Sequence, residues 1–197
     1  MSTMPLEPTP GFPPGLRAVF LDRDGVLNQK MPEGSYVRTP AEFHPLPGVA
    51  ESIARLNRAG LLVLVVTNQR GIARGLYTLA DVHAIHAAFQ QHLAGFGAHI
   101  DGFFICPHDK GECNCRKPLP GLFEQAVAQF PQIAASTSVM MGDSNADIKF
   151  GRRLGMTTVY LAGRAQHRSP SAASASALAD LRFEALPEAI DALLAAC

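Results

Sequence analysis

Five short apolar runs of four to six residues recur along the chain, and a helix-like pattern fills each gap between them. The runs are Ala18–Leu21, Leu61–Val66, Gly102–Ile105, Ser138–Met141 and Thr157–Leu161. Between them lie Gly48–Ala59, with Val49, Ile53 and Leu56 at helical spacing, then Thr78–Leu93, Pro120–Phe130 and Ala146–Leu154. Thr78 with Asp81 three residues on reads as a helix start, and Gly60, Pro131 and Gly155 read as stops. Strands separated by helices of this length make βαβ units and a parallel sheet. Such a sheet is covered on both faces, so its strands read as unbroken apolar runs. The expected fold is α/β, a Rossmann-like three-layer sandwich with a mainly parallel sheet. A last helix is expected over Leu186–Ala195, behind a mobile Ser/Ala-rich loop at Ser169–Ser176; the proline-rich residues 1–15 are expected to be a flexible segment that is not a signal peptide.

Three of the runs end in polar residues, at the strand ends where open α/β sheets bind their ligands. The first runs into Asp22-Arg23-Asp24-Gly25, the second into Thr67-Asn68-Gln69, and the fourth into Gly142-Asp143-Ser144-Asn145-Ala146-Asp147. Carboxylates converging on one crevice repel unless paired or bound to a cation, and oxygen ligands of this kind suit Mg2+. Asp22 and Asp24, two apart beside a glycine turn, have the spacing of a nucleophile with a general acid next to it; a cap or a solvated turn is the plain alternative. Thr67 offers a hydroxyl to a phosphate oxygen, and Lys117 offers a charge to neutralise developing phosphoryl charge.

Cys106, His108, Cys113 and Cys115 form C-x-H-x4-C-x-C. Three thiolates and an imidazole complete a tetrahedral structural zinc site with no position left for water. A small zinc-bound loop is therefore expected, running straight into Arg116-Lys117, in a reducing compartment. His44, His83, His86, His92 and His99 show no metal spacing, and His83 and His86 read as solvated or packed helix residues. Lys plus Arg equals Asp plus Glu, 17 each, which speaks against a broad nucleic-acid-binding surface. The longest aliphatic run, Leu61–Val66, is too short for a membrane span. The expectation is a cytoplasmic monomer.

Taken in order, Phe20-Leu21-Asp22-Arg23-Asp24-Gly25-Val26-Leu27-Asn28, Val66-Thr67-Asn68-Gln69, Arg116-Lys117-Pro118 and Met141-Gly142-Asp143-Ser144-Asn145-Ala146-Asp147 resemble the four motifs of the haloacid dehalogenase-like phosphohydrolases, over about residues 16–162. Thr67 to Gly75, Cys106-Pro107-His108 and Cys113 to Pro118 narrow the resemblance to histidinol-phosphate phosphatases and D-glycero-D-manno-heptose 1,7-bisphosphate 7-phosphatases. The short Asp109–Glu112 loop is closer to the first branch; Gly71–Gly75 and Lys117–Gly121 look like the second, which is preferred.

This resemblance implies that Asp22 is the nucleophile that forms an aspartyl-phosphate and Asp24 the acid and base. Mg2+ would be held by Asp22, the Asp24 main-chain carbonyl and Asp143, with Asp147 behind them. Thr67 and Lys117 would hold the phosphoryl group, and Arg116, Asn68, Gln69 and Arg70 would face a small phosphorylated substrate. Only 42 residues, 25–66, separate Asp24 from Thr67, so no large cap domain is expected and 16–197 would form a single phosphatase domain. A zinc-stabilised binding module without catalysis is the alternative of a different class.

Overall fold

The computed structural model describes residues 11–32, 34–163 and 172–196. The apolar runs form strands: β1 Ala18–Leu21, β2 Leu62–Asn68, β3 Gly102–Cys106, β4 Ser138–Gly142 and β5 Thr157–Leu161. They alternate with α1 Val49–Arg58, α2 Leu79–Ala94, α3 Gly121–Gln129 and α4 Asn145–Leu154. Beyond β5 come α5 Ala172–Leu178, β6 Leu181–Phe183 and α6 Leu186–Ala196. The six strands are parallel in the order β3-β2-β1-β4-β5-β6.

Strand alternation sorts the core onto two faces. Val19, Leu21, Val63, Val65, Val139 and Met141 meet Ile53 and Leu56 of α1, Phe89 and Leu93 of α2, and Ile190 and Leu193 of α6. Phe20, Leu64, Val66 and Met140 point the other way, against Leu122 of α3 and Phe150 of α4. Each such fully buried side chain stabilises the fold by about 1.5–3 kcal/mol. The three-layer α/β expectation therefore holds. Between β1 and β2 the described residues form only a short 3-10 turn, Pro40–Glu42, and α1, which leaves no room for a large cap there.

The tail departs from the sequence reading. Of the expected Ser169–Ser176 loop, residues 169–171 lie outside the described part, while 172–176 belong to α5. Small residues seat this helix: Ala175 and Ala179 bury against Ile148 and Tyr160, so it carries no large apolar stripe to read. The three-residue β6 was not foreseen either. Residues 1–10 of the expected flexible segment, and Cys197, also lie outside the described part; Phe12 packs on the core.

Chain order determines where a crevice opens. From β1 the chain winds outward through β2 to β3, then returns to β4 on β1's other side and winds away through β5 to β6. The carboxyl ends of β1 and β4 flank this switch point, the place where such sheets bind ligands.

Candidate active site

Asp22 follows β1 directly. Its Oδ1 accepts from the Arg23 main-chain N–H at 2.8 Å and from Lys117 Nζ at 2.9 Å. Next, the chain turns at Gly25, with φ +95°, and a Cβ there would lie 2.5 Å from Asp143 Oδ2. Only glycine satisfies both the backbone and the space. Arg23 is almost fully buried and turns back onto Asp24: Nη2 reaches Oδ1 at 3.0 Å and Oδ2 at 2.9 Å, and Nε reaches Oδ2 at 3.2 Å. Asn28 Nδ2 donates to Oδ1 at 3.1 Å and Gln69 Nε2 to Oδ2 at 3.0 Å. Burial works to raise the Asp24 carboxyl, but the Arg23 charge and these donors outweigh it and hold the group below its ordinary range.

Lys117 is buried and its ammonium meets three acceptors: Asp22 Oδ1 at 2.9 Å, the Val66 carbonyl at 2.6 Å and Asp147 Oδ1 at 2.6 Å. Burial opposes its charge, yet Asp147 and Asp22 raise its pKa above the ordinary lysine value. Asp147 also closes the α4 N-terminus, accepting from Ser144 N at 3.0 Å and Ser144 Oγ at 2.6 Å. Asp143, last before that turn, pairs through Oδ2 with Lys30 Nζ at 2.5 Å. Burial and then Asp147 push Asp22 up to about 7. Burial likewise takes Asp143 to about 6, against the pull of Lys30.

One carboxylate oxygen each from Asp22, Asp143 and Asp147 lies within 4.8 Å of the others. Asp143 Oδ1 is buried with no hydrogen-bond partner. A cluster of acceptors with too few protons, in which burial and repulsion push Asp22 and Asp143 toward neutrality, fits a divalent cation with oxygen ligands. At the end of β3, Cys106, His108, Cys113 and Cys115 also bring their ligand atoms within 4.8 Å of one another. The sulfur–sulfur separations of 3.6 and 3.3 Å, and Nδ1–sulfur separations of 3.9 and 3.3 Å, lie within about 0.5 Å of the edges of a zinc tetrahedron, about 3.5–3.8 Å.

The structure brings Asp22, Asp24, Thr67, Lys117, Asp143 and Asp147 to one crevice. The four residues expected to face substrate each have partners within the protein. Asn68 is spent on Lys117, donating to its carbonyl at 3.1 Å and accepting from its N–H at 3.0 Å. Gln69 is buried at 2% exposure behind Thr67 and Asp24, and Nε2 also donates to Thr67 Oγ1 at 2.8 Å. Arg70 pairs with Asp109. Arg116 anchors the cysteine loop, its N–H to Cys113 Sγ at 3.3 Å and Nη1 to the His108 carbonyl at 3.4 Å. The amides of Asn68 and Gln69 are thus already engaged inside the protein. Sequence reasoning missed Arg23, Asn28 and Lys30, each visible only as a polar residue around the first turn, and Tyr77, whose link to Gln69 has no periodic signal.

A haloacid dehalogenase-like hydrolase family profile matches residues 29–155. A D-glycero-alpha-D-manno-heptose-1,7-bisphosphate 7-phosphatase of Mycobacterium tuberculosis is 37% identical over 171 residues, 86% of this chain and 87% of that protein. A D-glycero-beta-D-manno-heptose-1,7-bisphosphate 7-phosphatase of Pseudomonas putida is 39% identical over 147 residues, 74% of this chain and 82% of that one. The crystal structure of the D,D-heptose 1,7-bisphosphate phosphatase of B. bronchiseptica, complexed with magnesium and phosphate, superposes with a TM-score of 0.79 at 32% identity, over 92% of this chain and 100% of that chain. Motif order, sheet topology and these likenesses agree, and the chain belongs to the haloacid dehalogenase-like hydrolases.

Proposed function

We propose that this chain is a Mg2+-dependent phosphatase that removes the 7-phosphate of D-glycero-D-manno-heptose 1,7-bisphosphate. The observation that carries the reading is Asp22 at the β1–β4 crevice, held by Lys117 Nζ at 2.9 Å beside Asp143 and Asp147. Its relatives' substrate supplies the sugar.

Asp22 attacks phosphorus, the ester P–O bond breaks, and the alkoxide leaves with a proton from Asp24. Water then attacks the aspartyl-phosphate, Asp24 takes its proton, and the bond to Asp22 breaks to release inorganic phosphate. Asp24, clamped by its donors and held below its ordinary range, is set up as the base of the second half. For the first half it carries a proton, and one of its donors must yield. Thr67 and Lys117 hold the phosphoryl oxygens. Asp22, Asp143 and the Asp24 main-chain carbonyl would hold Mg2+, whose positive charge would keep the two carboxylates ionised and offset the negative charge of the phosphoryl group. Cys106, His108, Cys113 and Cys115 would hold Zn2+, which would fix the loop that aims Lys117.

The test is phosphate release from the heptose bisphosphate, as both anomers, against histidinol phosphate and other sugar bisphosphates. The heptose substrate should give the highest kcat/KM; a histidinol phosphate preference overturns the substrate assignment. Asp22→Asn should abolish release, because an amide forms no acyl phosphate; normal turnover by that variant sinks the mechanism. We also propose one working domain, 16–197, acting as a cytoplasmic monomer. Thiols at 106, 113 and 115 that gather as a metal-ligand set and not as disulfides support a reducing compartment. No helix among the described residues is long and apolar enough to cross a membrane. Sedimentation at the mass of one chain is the expected result.

A further inference from the structure

Gln69 sits between Asp24 and Thr67, and its amide orientation decides whether it helps or harms them. Nε2 donates to Asp24 Oδ2 at 3.0 Å and to Thr67 Oγ1 at 2.8 Å, so both amide protons are used. The other end of the amide, Oε1, accepts from the Tyr77 hydroxyl at 2.7 Å. Turned over, the amide would set its oxygen against the Asp24 carboxylate, which can only accept. The acceptor-only Asp24 carboxylate therefore selects this orientation, and the Tyr77 hydroxyl holds the amide in it by donating to Oε1.

Tyr77 is itself held tightly for this task. It is 6% exposed, its ring tilts against Tyr36 with centroids 5.7 Å apart, and it fills the space beside Gly71. A Cβ on Gly71 would lie 2.1 Å from Tyr77 Cε1 and 2.9 Å from its hydroxyl. No side chain fits there, so glycine at 71 leaves room for the phenol against the Thr67-Asn68-Gln69 turn. Tyr77 lies one residue before the Thr78 cap of α2, which sets where its ring enters.

Resting on the phosphatase reading above, we propose that Tyr77 is a positioning residue for the general acid–base, acting on Asp24 through Gln69 without touching substrate. The chain Tyr77–Gln69–Asp24 supplies Asp24 with a neutral donor beside the charged clamp of Arg23. That neutral donor fixes where the carboxyl group points; it favours the ionised form less than the Arg23 charge does. The link should matter most when the leaving group needs a proton. A sugar alkoxide needs one; p-nitrophenolate leaves without one. Misplacing Thr67, by contrast, would weaken phosphoryl binding for both esters alike.

The experiment compares kcat/KM for the best sugar phosphate of the panel with that for p-nitrophenyl phosphate, because kcat/KM reports steps up to the first departure of the leaving group. Tyr77→Phe keeps the ring and removes only the hydroxyl. It should lower kcat/KM for the sugar phosphate about three- to tenfold, the range of one neutral buried hydrogen bond. Aryl ester hydrolysis should fall less than about twofold on the same grounds. Gln69→Met should show the larger loss with the same substrate bias, and adding Tyr77→Phe to it should cost nothing more, since the two act as one unit. Equal losses on both esters, no loss on either, or an additive double variant would overturn the proposal while leaving the phosphatase reading intact. A wild-type protein that releases phosphate from neither ester overturns that reading, and the proposal with it. Partial unfolding of a variant lowers both rates together, so the ratio separates it from the effect expected.

Discussion

Asp143 is asked to serve two cations. Its Oδ2 is paired with Lys30 Nζ at 2.5 Å, while its buried Oδ1 has no partner. The Lys30 ammonium partly offsets a cluster of three carboxylates, and that same charge opposes a divalent ion arriving at Asp143. Lys30→Gln should therefore bind Mg2+ more tightly, by about tenfold, since a partly screened charge pair at contact is worth on the order of 1–4 kcal/mol. Calorimetric titration of Mg2+ into metal-free protein measures this directly; unchanged or weaker binding would show that Lys30 does not compete for Asp143. Lys30 also marks the limit of reading residues from the chain alone. Asp22, Asp24, Thr67, Lys117 and Asp143 stand at strand ends or beside a cysteine motif, so topology gathers them and the sequence already hints at the gathering. Lys30 and Tyr77 reach the site by the path of a loop, which leaves no periodic trace. Gln69 shows the converse: its motif was legible, but whether an amide at a strand end faces outward or back into the protein depends on the partner 8 residues away that receives it.

α2 carries a polar residue on its buried face. His86 is 4% exposed, stacks on Phe103 with centroids 4.3 Å apart, and neither ring nitrogen has a hydrogen-bond partner. Burial, and then the charge of Arg23, lower its pKa to about 3. The unfolded chain binds this proton near pH 6.5, so between about pH 6.5 and 3 the unfolded state holds a proton that the folded state lacks. The contribution is whole above that window and lost as pH falls through it. At pH 5 the loss is about 2 kcal/mol, so wild type should lose that much more stability between pH 7 and 5 than His86→Phe, which keeps the stack and cannot titrate. Urea unfolding of both proteins at the two pH values checks it, and parallel losses would place the titration elsewhere. The element boundaries tell a related story. Strands and helices with large apolar side chains were legible within a residue or two, as was the Thr78–Asp81 cap, which forms a full capping box. α5 was not, because its one buried residue, Ala175, is an alanine within a Ser/Ala run that reads as a loop. Three residues of β6 show too little alternation to stand out, although Leu181 and Phe183 pack on the core.

At the scale of the whole molecule, the zinc loop is a graft on an edge strand. Most of the apolar side chains on both faces of the sheet come from elsewhere; of the loop, Cys106 and Cys115 join the core beside α3 and Cys113 borders it. The loop connects instead to the crevice. Cys113 Sγ accepts from the Arg116 N–H at 3.3 Å, Asn68 brackets Lys117 through two hydrogen bonds, and the Lys117 ammonium ends on Asp22. Removing zinc should therefore cost activity far more than it costs the fold. Cys106 and Cys115 are buried but His108 is exposed, so a chelator reaches the ion from the His108 side. Stripped protein should keep its far-UV circular dichroism and lose about 5–10 °C in melting temperature, equivalent to roughly 2–3 kcal/mol in a chain of this size. Its turnover should collapse as Lys117 loses its aim. Cys113→Ser should behave likewise. Zn2+ should restore at least part of the rate and Mg2+ none of it, because thiolate and imidazole are too soft for Mg2+. Metal analysis of protein purified without added metal gives the starting point, one zinc per chain; a content near zero with full activity and an unshifted melting temperature would leave Cys106, Cys113 and Cys115 as ordinary thiols and detach the loop from the chemistry.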